Sequence, residues 1–190
     1  MTTGLRRGEL CALRWSHIDL PNGTVTVRRS ISQDGVRRDE KDTKTHQQRR
    51  ITLDPTTVDV LTEHWDRCRD RAVRLGAPLH RDAFVFSLAP DGSTHLVPMS
   101  VSQRYGRLAA RLGLDTHLHS LRHSYATELI AAGVDIRTVA GRLGHSGGGS
   151  TTLRTYTAFV HEADQRAATA LASRRSKLRS SIERDRQVDR

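Results

Sequence analysis

The sequence changes its period at Asp54-Pro55. Before this dipeptide, apolar residues of the stretch 24–53 fall in short alternating runs; after it, Val58, Leu61, Trp65 and Cys68 recur at helical spacing. Alternation puts side chains on the two faces of a strand, whereas a spacing of three to four puts them on one face of a helix. An aspartate can accept hydrogen bonds from the first unpaired N–H groups of a helix, and a proline has no N–H to leave unpaired there. The dipeptide therefore predicts a helix start. A chain with strands gathered early and helices following is restricted to an α+β architecture, here mainly helical.

The local signals divide it further. Pro21-Asn22-Gly23 is a turn and Thr24-Val25-Thr26-Val27 begins a strand. Asp34-Gly35 is a hairpin signal, and a second strand is expected from Val36 to about Glu40. His46-Gln47-Gln48 reads as a turn before a third strand, Arg50-Ile51-Thr52-Leu53. Together these predict one small three-stranded antiparallel sheet over roughly 24–53. Ahead of it, Leu10, Leu13 and Trp15 supply the apolar face of a helix entered after Gly4 and ending near Ser16. Behind it, Gly76 closes the helix begun at Asp54, and Ser100 with Gln103 has the form of a capping box before a helix over 101–112, which Gly113 ends. Helices are expected from about Ser120 to Ala132 and from the cap Asp135 to about Leu143. Gly147-Gly148-Gly149 imposes almost no backbone restriction and predicts a mobile joint before helical pieces at 151–156 and 159–172. The last stretch, 173–190, has seven basic residues against three acidic and little apolar content, which predicts a disordered tail.

At 190 residues the chain has room for one domain with a small appendage. Its 31 lysines and arginines outnumber its 21 aspartates and glutamates, for a net charge of +10. Such a balance suits a polyanionic partner, nucleic acid first, although an arginine-rich composition has the same sign without one. The positive charge is spread over Arg28, Arg29, Arg37, Arg38, Lys41, Lys44, Arg49, Arg50 and the tail, a distribution suited to a phosphate backbone. Two cysteines, Cys11 and Cys68, make no disulfide framework, and no stretch has the form of a secretory signal or a membrane span. The expected compartment is a reducing cytoplasm, with no membrane partner.

The densest chemistry lies in His117-Leu118-His119-Ser120-Leu121-Arg122-His123. On a helix, His119 and Arg122 share a face, so an imidazole and a guanidinium can converge on one ligand. The guanidinium is a fork of donors for phosphate oxygens, and a histidine can move a proton near neutral pH. Taken alone, the same pair reads more readily as a surface histidine and arginine. His119 and His123 have the spacing of a metal pair, but no glutamate stands between them as in the HExxH pattern, so no metal or other cofactor is expected. Singly, Tyr156 reads as half-buried core, Lys44 as a solvated inter-strand lysine, and His145 as a residue just beyond a helix.

The order of these pieces resembles the motif set of the tyrosine recombinases, or phage integrases, which share their catalytic domain with type IB topoisomerases. Thr3-Gly4-Leu5-Arg6-Arg7-Gly8-Glu9-Leu10 is similar to the family's first box, with Arg6 its catalytic arginine and Glu9 a structural acidic residue. Thr43-Lys44-Thr45 matches the position of the catalytic lysine. His119-Ser120-Leu121-Arg122-His123 resembles the HxxR box, and Leu143-Gly144-His145 followed by Ser150-Thr151-Thr152-Leu153-Arg154-Thr155-Tyr156 resembles the final box. The interval from His145 to Tyr156 is about one residue longer than is usual in the family.

The resemblance implies a DNA breaking-rejoining catalytic core over 1–172, followed by the basic tail 173–190 and lacking both the first catalytic-domain helix and the DNA-clamping domain that usually precede it. It implies a site of Arg6, Lys44, His119, Arg122, His145 and Tyr156. Tyr156 would be the nucleophile, His119 its proton acceptor, Arg6, Arg122 and His145 the ligands of the phosphate, and Lys44 the proton donor to the leaving 5′ oxygen. No metal would be needed. The implied partners are double-stranded DNA, further copies of the chain in a recombinase tetramer on paired sites, and accessory DNA-bending proteins at a bacterial nucleoid. Two other readings are open at this point: a shortened noncatalytic DNA-binding remnant or regulator, and a type IB topoisomerase.

Overall fold

The computed structural model describes residues 3–42 and 48–145, together with Ala168, Thr169 and Ala172. Among the described residues the chain runs α1 (Arg7–Cys11), a 3-10 turn (Trp15–His17), β1 (Ile18–Asp19), β2 (Thr24–Val27), β3 (Arg29–Asp34), β4 (Arg37–Asp42), β5 (Arg49–Thr52), α2 (Pro55–Arg74), α3 (Pro98–Arg111), α4 (Leu118–Ala131) and α5 (Ile136–Leu143). The α+β, mainly helical class read from the sequence is the one observed. None of these helices is long and apolar enough to cross a membrane.

The period change at Asp54 marks a structural boundary. Asp54 Oδ1 accepts from the Thr57 backbone N–H at 3.0 Å and its Oδ2 from the Thr57 hydroxyl at 2.6 Å, with Pro55 as the first residue of α2. The helical series Val58, Leu61, Trp65 and Cys68 packs on a core of Leu5, Leu13, Trp15, Val25, Val27, Ile51, Leu53, Ala83 and Val85. Trp15 and Trp65 meet edge to face at 4.9 Å, a favoured aromatic geometry. The strand alternation also holds: Val25 and Val27 are buried on β2, and Ile51 is fully buried on β5.

The sheet differs from the expected one. Two sheets form in place of one: β1, β2 and β5 make a three-stranded antiparallel sheet, and β3 and β4 make a separate hairpin. In the first, Val25 stands opposite Ile51 and Val27 opposite Arg49. The turn signal Asp34-Gly35 is correct, since Asp34 pairs with Arg37. The reason for the split lies in β4. Its sequence, Arg37-Arg38-Asp39-Glu40-Lys41-Asp42, has no apolar residue to bury, so it cannot lie in the middle of a sheet that covers a core. The apolar Ile51 takes β5 to β2 instead, and the hairpin contributes only Ile31 to a small cluster with Cys11 and Ala12.

Two helix boundaries move as well. α3 begins at Pro98, three residues before the expected start, and the Ser100 hydroxyl donates back to the Val97 carbonyl at 2.8 Å rather than capping. The expected helix up to Ser16 is shorter, ending at Cys11, and Trp15 belongs to the 3-10 turn. α5 is capped as expected, by Asp135 Oδ1 accepting from the Arg137 and Thr138 N–H groups at 3.0 Å each. It ends at Gly144 with φ of 66°, and the His145 N–H donates to the Ala140 carbonyl at 3.0 Å. This is a left-handed glycine cap. α4 and α5 enclose a second core of Tyr125, Ala126, Val139 and Leu143. Of the expected pieces at 151–156 and 159–172, Ala168, Thr169 and Ala172 are helical; the remainder, and the glycine joint and tail, lie outside the described residues.

Gly8 shows how closely α1 lies on the hairpin. A Cβ there would stand 2.4 Å from the Ile31 carbonyl oxygen, whereas one at Gly106 in α3 would meet nothing within 4 Å. Gly8→Ala is therefore expected to destabilise the chain by about 1–3 kcal/mol through overpacking against backbone. Gly106→Ala is expected to stabilise it by about 0.5–1 kcal/mol by restricting the unfolded chain. Urea denaturation of the two variants checks both signs.

Candidate active site

The site is assembled around the C-terminal end of α5. The last carbonyls of a helix have no partner within it and carry partial negative charge. Here three consecutive ones each accept from a different arginine. The Arg142 carbonyl takes the Arg49 Nε at 2.9 Å, the Leu143 carbonyl takes an Arg122 Nη2 at 2.5 Å, and the Gly144 carbonyl takes the Arg6 Nη2 at 2.6 Å. His145 follows directly in sequence.

Each arginine reaches this point from a different element. Arg6 is the N-cap of α1, and its backbone N–H donates to Glu9 Oε2 at 2.8 Å while its Nη1 donates to Glu9 Oε1 at 3.0 Å. Arg122 lies one turn into α4, 5% exposed, and a second donor of its guanidinium bonds the Gly4 carbonyl. Gly4 adopts φ of 62° directly against Leu143 and Tyr125, where a Cβ would fall 2.7 and 2.8 Å from their side chains. The glycine of the first box thus lets the backbone approach α4 and α5 closely enough for Arg122 to hold it. His119 sits one turn earlier on α4, its ring 4.6 Å from that of His123. Arg6, His119 and Arg122 line one cleft of about 470 Å³, whose other wall includes Ser30, Ser32 and Gln33 of the hairpin.

Glu9 is the buried anion of the cluster. Burial alone would raise its carboxyl, but the hydrogen bonds and charge of Arg49, reinforced by Arg6, hold it below the usual carboxylate range. Both histidines shift downward. Burial, then the positive charge of neighbours led by His123 and Arg122, lowers His119. Burial, then Arg122 and Arg6, lowers His145 to about 4. Two imidazoles held neutral at pH 7 beside fixed cations can accept or share protons without adding charge of their own.

The chain matches the description of the Phage integrase family over residues 1–163. It belongs to that family. Among its relatives, the tyrosine recombinase XerC-like protein of Caldanaerobacter subterraneus subsp. tengcongensis is 32% identical over 159 residues, covering 76% of this chain and 40% of that protein. The tyrosine recombinase XerC of Xanthomonas axonopodis pv. citri is 32% identical over 178 residues, covering 93% of this chain and 50% of that protein. The chain thus spans half or less of these relatives' length. In fold it is similar to the Tn1549 transposon integrase in complex with circular intermediate DNA, with a TM-score of 0.68 at 23% identity over 87% of this chain and 56% of that one. It is also similar to the XerH site-specific recombinase bound to palindromic difH substrate, with a TM-score of 0.61 at 26% identity over 88% and 42% of the two chains.

Of the six positions read from the integrase motifs, Arg6, His119, Arg122 and His145 gather at this site. Lys44 and Tyr156 lie outside the described residues. Arg49, counted in the sequence only as part of a basic stretch, is a member of the cluster. A signal for it existed. With Ile51 and Leu53 inward, a period of two puts Arg49 on the inward face of β5 and Arg50 outward, and an inward guanidinium requires an anion.

The histidine shifts carry a pH dependence. His145 is a weaker base in the folded chain, about 4, than in the unfolded one, 6.5. The unfolded chain therefore binds more protons between these values. The stability this residue contributes is full above pH 6.5 and is lost as pH falls through 4. An NMR titration of the His145 ring is expected to give a midpoint near 4, and His145→Gln should flatten the fall of unfolding free energy across that window. A midpoint at the ordinary histidine value would contradict the placement of the ring among the arginines.

Proposed function

We propose that this chain is the catalytic part of a site-specific DNA recombinase that cleaves and rejoins duplex DNA through a 3′-phosphotyrosyl bond to Tyr156. The observation that carries the reading is the convergence of Arg6 and Arg122 on adjacent carbonyls of one helix end, beside two neutral histidines. A phosphodiester in transfer gathers negative charge on its non-bridging oxygens, and prearranged guanidinium donors stabilise that charge. Arg6 and Arg122 take this role, with His145 adding a hydrogen bond. His119, a neutral base, accepts the phenol proton as Tyr156 attacks phosphorus. Lys44 returns a proton to the departing 5′ oxygen, and religation reverses each step. The bond energy is kept in the phosphotyrosyl ester, so no external energy source enters. The fixed arginine charge supports a reaction that needs no metal ion.

Residues 1–172 form the catalytic unit in this reading, and the basic tail 173–190 follows the DNA backbone. The partners are double-stranded DNA, other copies of the chain in a tetramer on paired sites, and accessory DNA-bending proteins, at the nucleoid of a bacterial cytoplasm. The DNA complexes among the similar structures support the partner.

The test is covalent trapping. Purified chain is incubated in chelator with a pool of randomised duplexes nicked so that the cleaved end diffuses away, and the product is resolved in denaturing gels. A DNA–protein adduct is expected. It should vanish with Tyr156→Phe and fall by about 10²–10³-fold with Arg122→Ala, the usual cost of one transition-state donor. An adduct that survives Tyr156→Phe would defeat the assignment.

A further inference from the structure

The arginine outside the motif set makes more contacts in the cluster than its sequence suggests. Arg49 has a side chain 11% exposed, against 39% for Arg6. Its Nη1 donates to Glu9 Oε1 at 2.9 Å and its Nη2 to Glu9 Oε2 at 2.6 Å, while its Nε holds the Arg142 carbonyl. All three nitrogens of the fork are thereby engaged with a buried carboxylate and a helix end. Gly144 is the residue that leaves room for it, since a Cβ there would stand 2.7 Å from Arg49 Nη1.

This arrangement bears on Arg6. Glu9 lies three residues along the chain from Arg6 and is 3% exposed. With no other cation at hand, such a carboxylate would take Arg6 as its full counter-ion and cancel its charge. Arg49 occupies both carboxylate oxygens in the parallel geometry that favours arginine–carboxylate pairs. Arg6 keeps one side-chain contact to Glu9, at 3.0 Å, and faces the cleft. We propose that Arg49 is a positioning residue: it neutralises Glu9 so that Arg6 retains its charge for a phosphate in the cleft, and it ties Arg6 to the helix end that carries His145. The oxyanion role of Arg6 rests on the function proposed above; the charge relation among Arg6, Glu9 and Arg49 rests on the geometry alone.

Inorganic phosphate is the probe, because its binding requires neither DNA nor Tyr156. Titrations of the 190-residue chain at pH 7 would be followed by the ring protons of His119 and His145. The unaltered chain should bind phosphate saturably, and Arg49→Met should weaken it about tenfold, the worth of one charge-assisted hydrogen bond. Removing the carboxylate as well, in Glu9→Gln/Arg49→Met, should restore affinity to within about threefold of the unaltered chain. A merely structural role gives no such rescue, since losing both partners of the pair would then be no better than losing one. Thermal unfolding confirms that each variant is folded. Should Arg49→Met not fold, Arg49→Lys is compared with and without Glu9→Gln; a single ammonium cannot hold both oxygens, so the same loss and recovery are expected. The proposal is overturned if the unaltered chain binds no phosphate, if the folded Arg49 variant binds as well as it does, or if Glu9→Gln brings no recovery. A chain that passes this test and yields no covalent adduct with DNA would refute the recombinase reading alone.

Discussion

Glu9 is a carboxylate with almost no contact with solvent, held between two guanidinium groups from α1 and β5. An unpaired charge in such a position costs several kcal/mol, and taking one partner from a buried pair costs about 3–5 kcal/mol. The elements that supply the partners are thereby bound to one another's placement. Arg49 carries β5 to the end of α5, and Arg6 carries α1 to the same end. Arg122 brings in α4 and the Gly4 backbone. Arginines from three elements thus meet at three successive carbonyls at the end of α5, and the two histidines stand beside them.

The electrostatics of that meeting suit an anionic ligand. Two guanidinium groups, Arg6 and Arg49, share the Glu9 carboxylate and a third, Arg122, bonds only backbone carbonyls, so the cluster holds surplus positive charge where burial weakens screening by water. Burial first, and then neighbouring positive charge that includes Arg122 and Arg6, pushes down the basicity of His119 and His145, with His145 reaching about 4. A neutral imidazole able to accept a proton and cations able to stabilise negative charge are complementary requirements of phosphoryl transfer, which is why the cluster supports the function proposed above. A hairpin whose second strand has no apolar residue, and whose first buries Ile31, forms one wall of the cleft. The cleft thus has the polar Ser30, Ser32 and Gln33 on the hairpin side and Arg6, His119 and Arg122 on the other.

Much of the fold could be read from the chain. The caps Asp54 and Asp135 mark true helix starts, the turn Asp34-Gly35 is a true hairpin, and Gly76, Gly113 and Gly133 follow helix ends with positive φ. These are local effects, decided by a few neighbouring residues. The sheet was less legible, because pairing β5 with β2 rather than with β4 depends on which strands have a face to bury. The start of α3 was misplaced by a proline at its first turn that outweighs a serine two residues later. In the site, motif order located Arg6, His119, Arg122 and His145, but Arg49 escaped because neither its neighbours nor its charge separate it from Arg50. Only its facing on the strand does.

The chain's local signals were enough for the class of fold, for the helix and turn boundaries set by Asp54, Asp135 and several glycines, and for the order of motifs that resembles the integrases. What the tertiary structure alone decided was which cation meets which anion. Arg49 and Glu9 are 40 residues apart, Arg122 and Gly4 118, and Arg6 and Gly144 138. No local propensity selects such partners. They follow from burial, which takes water from the Glu9 carboxylate and limits it at the helix end, and so favours the nearby guanidinium groups as donors.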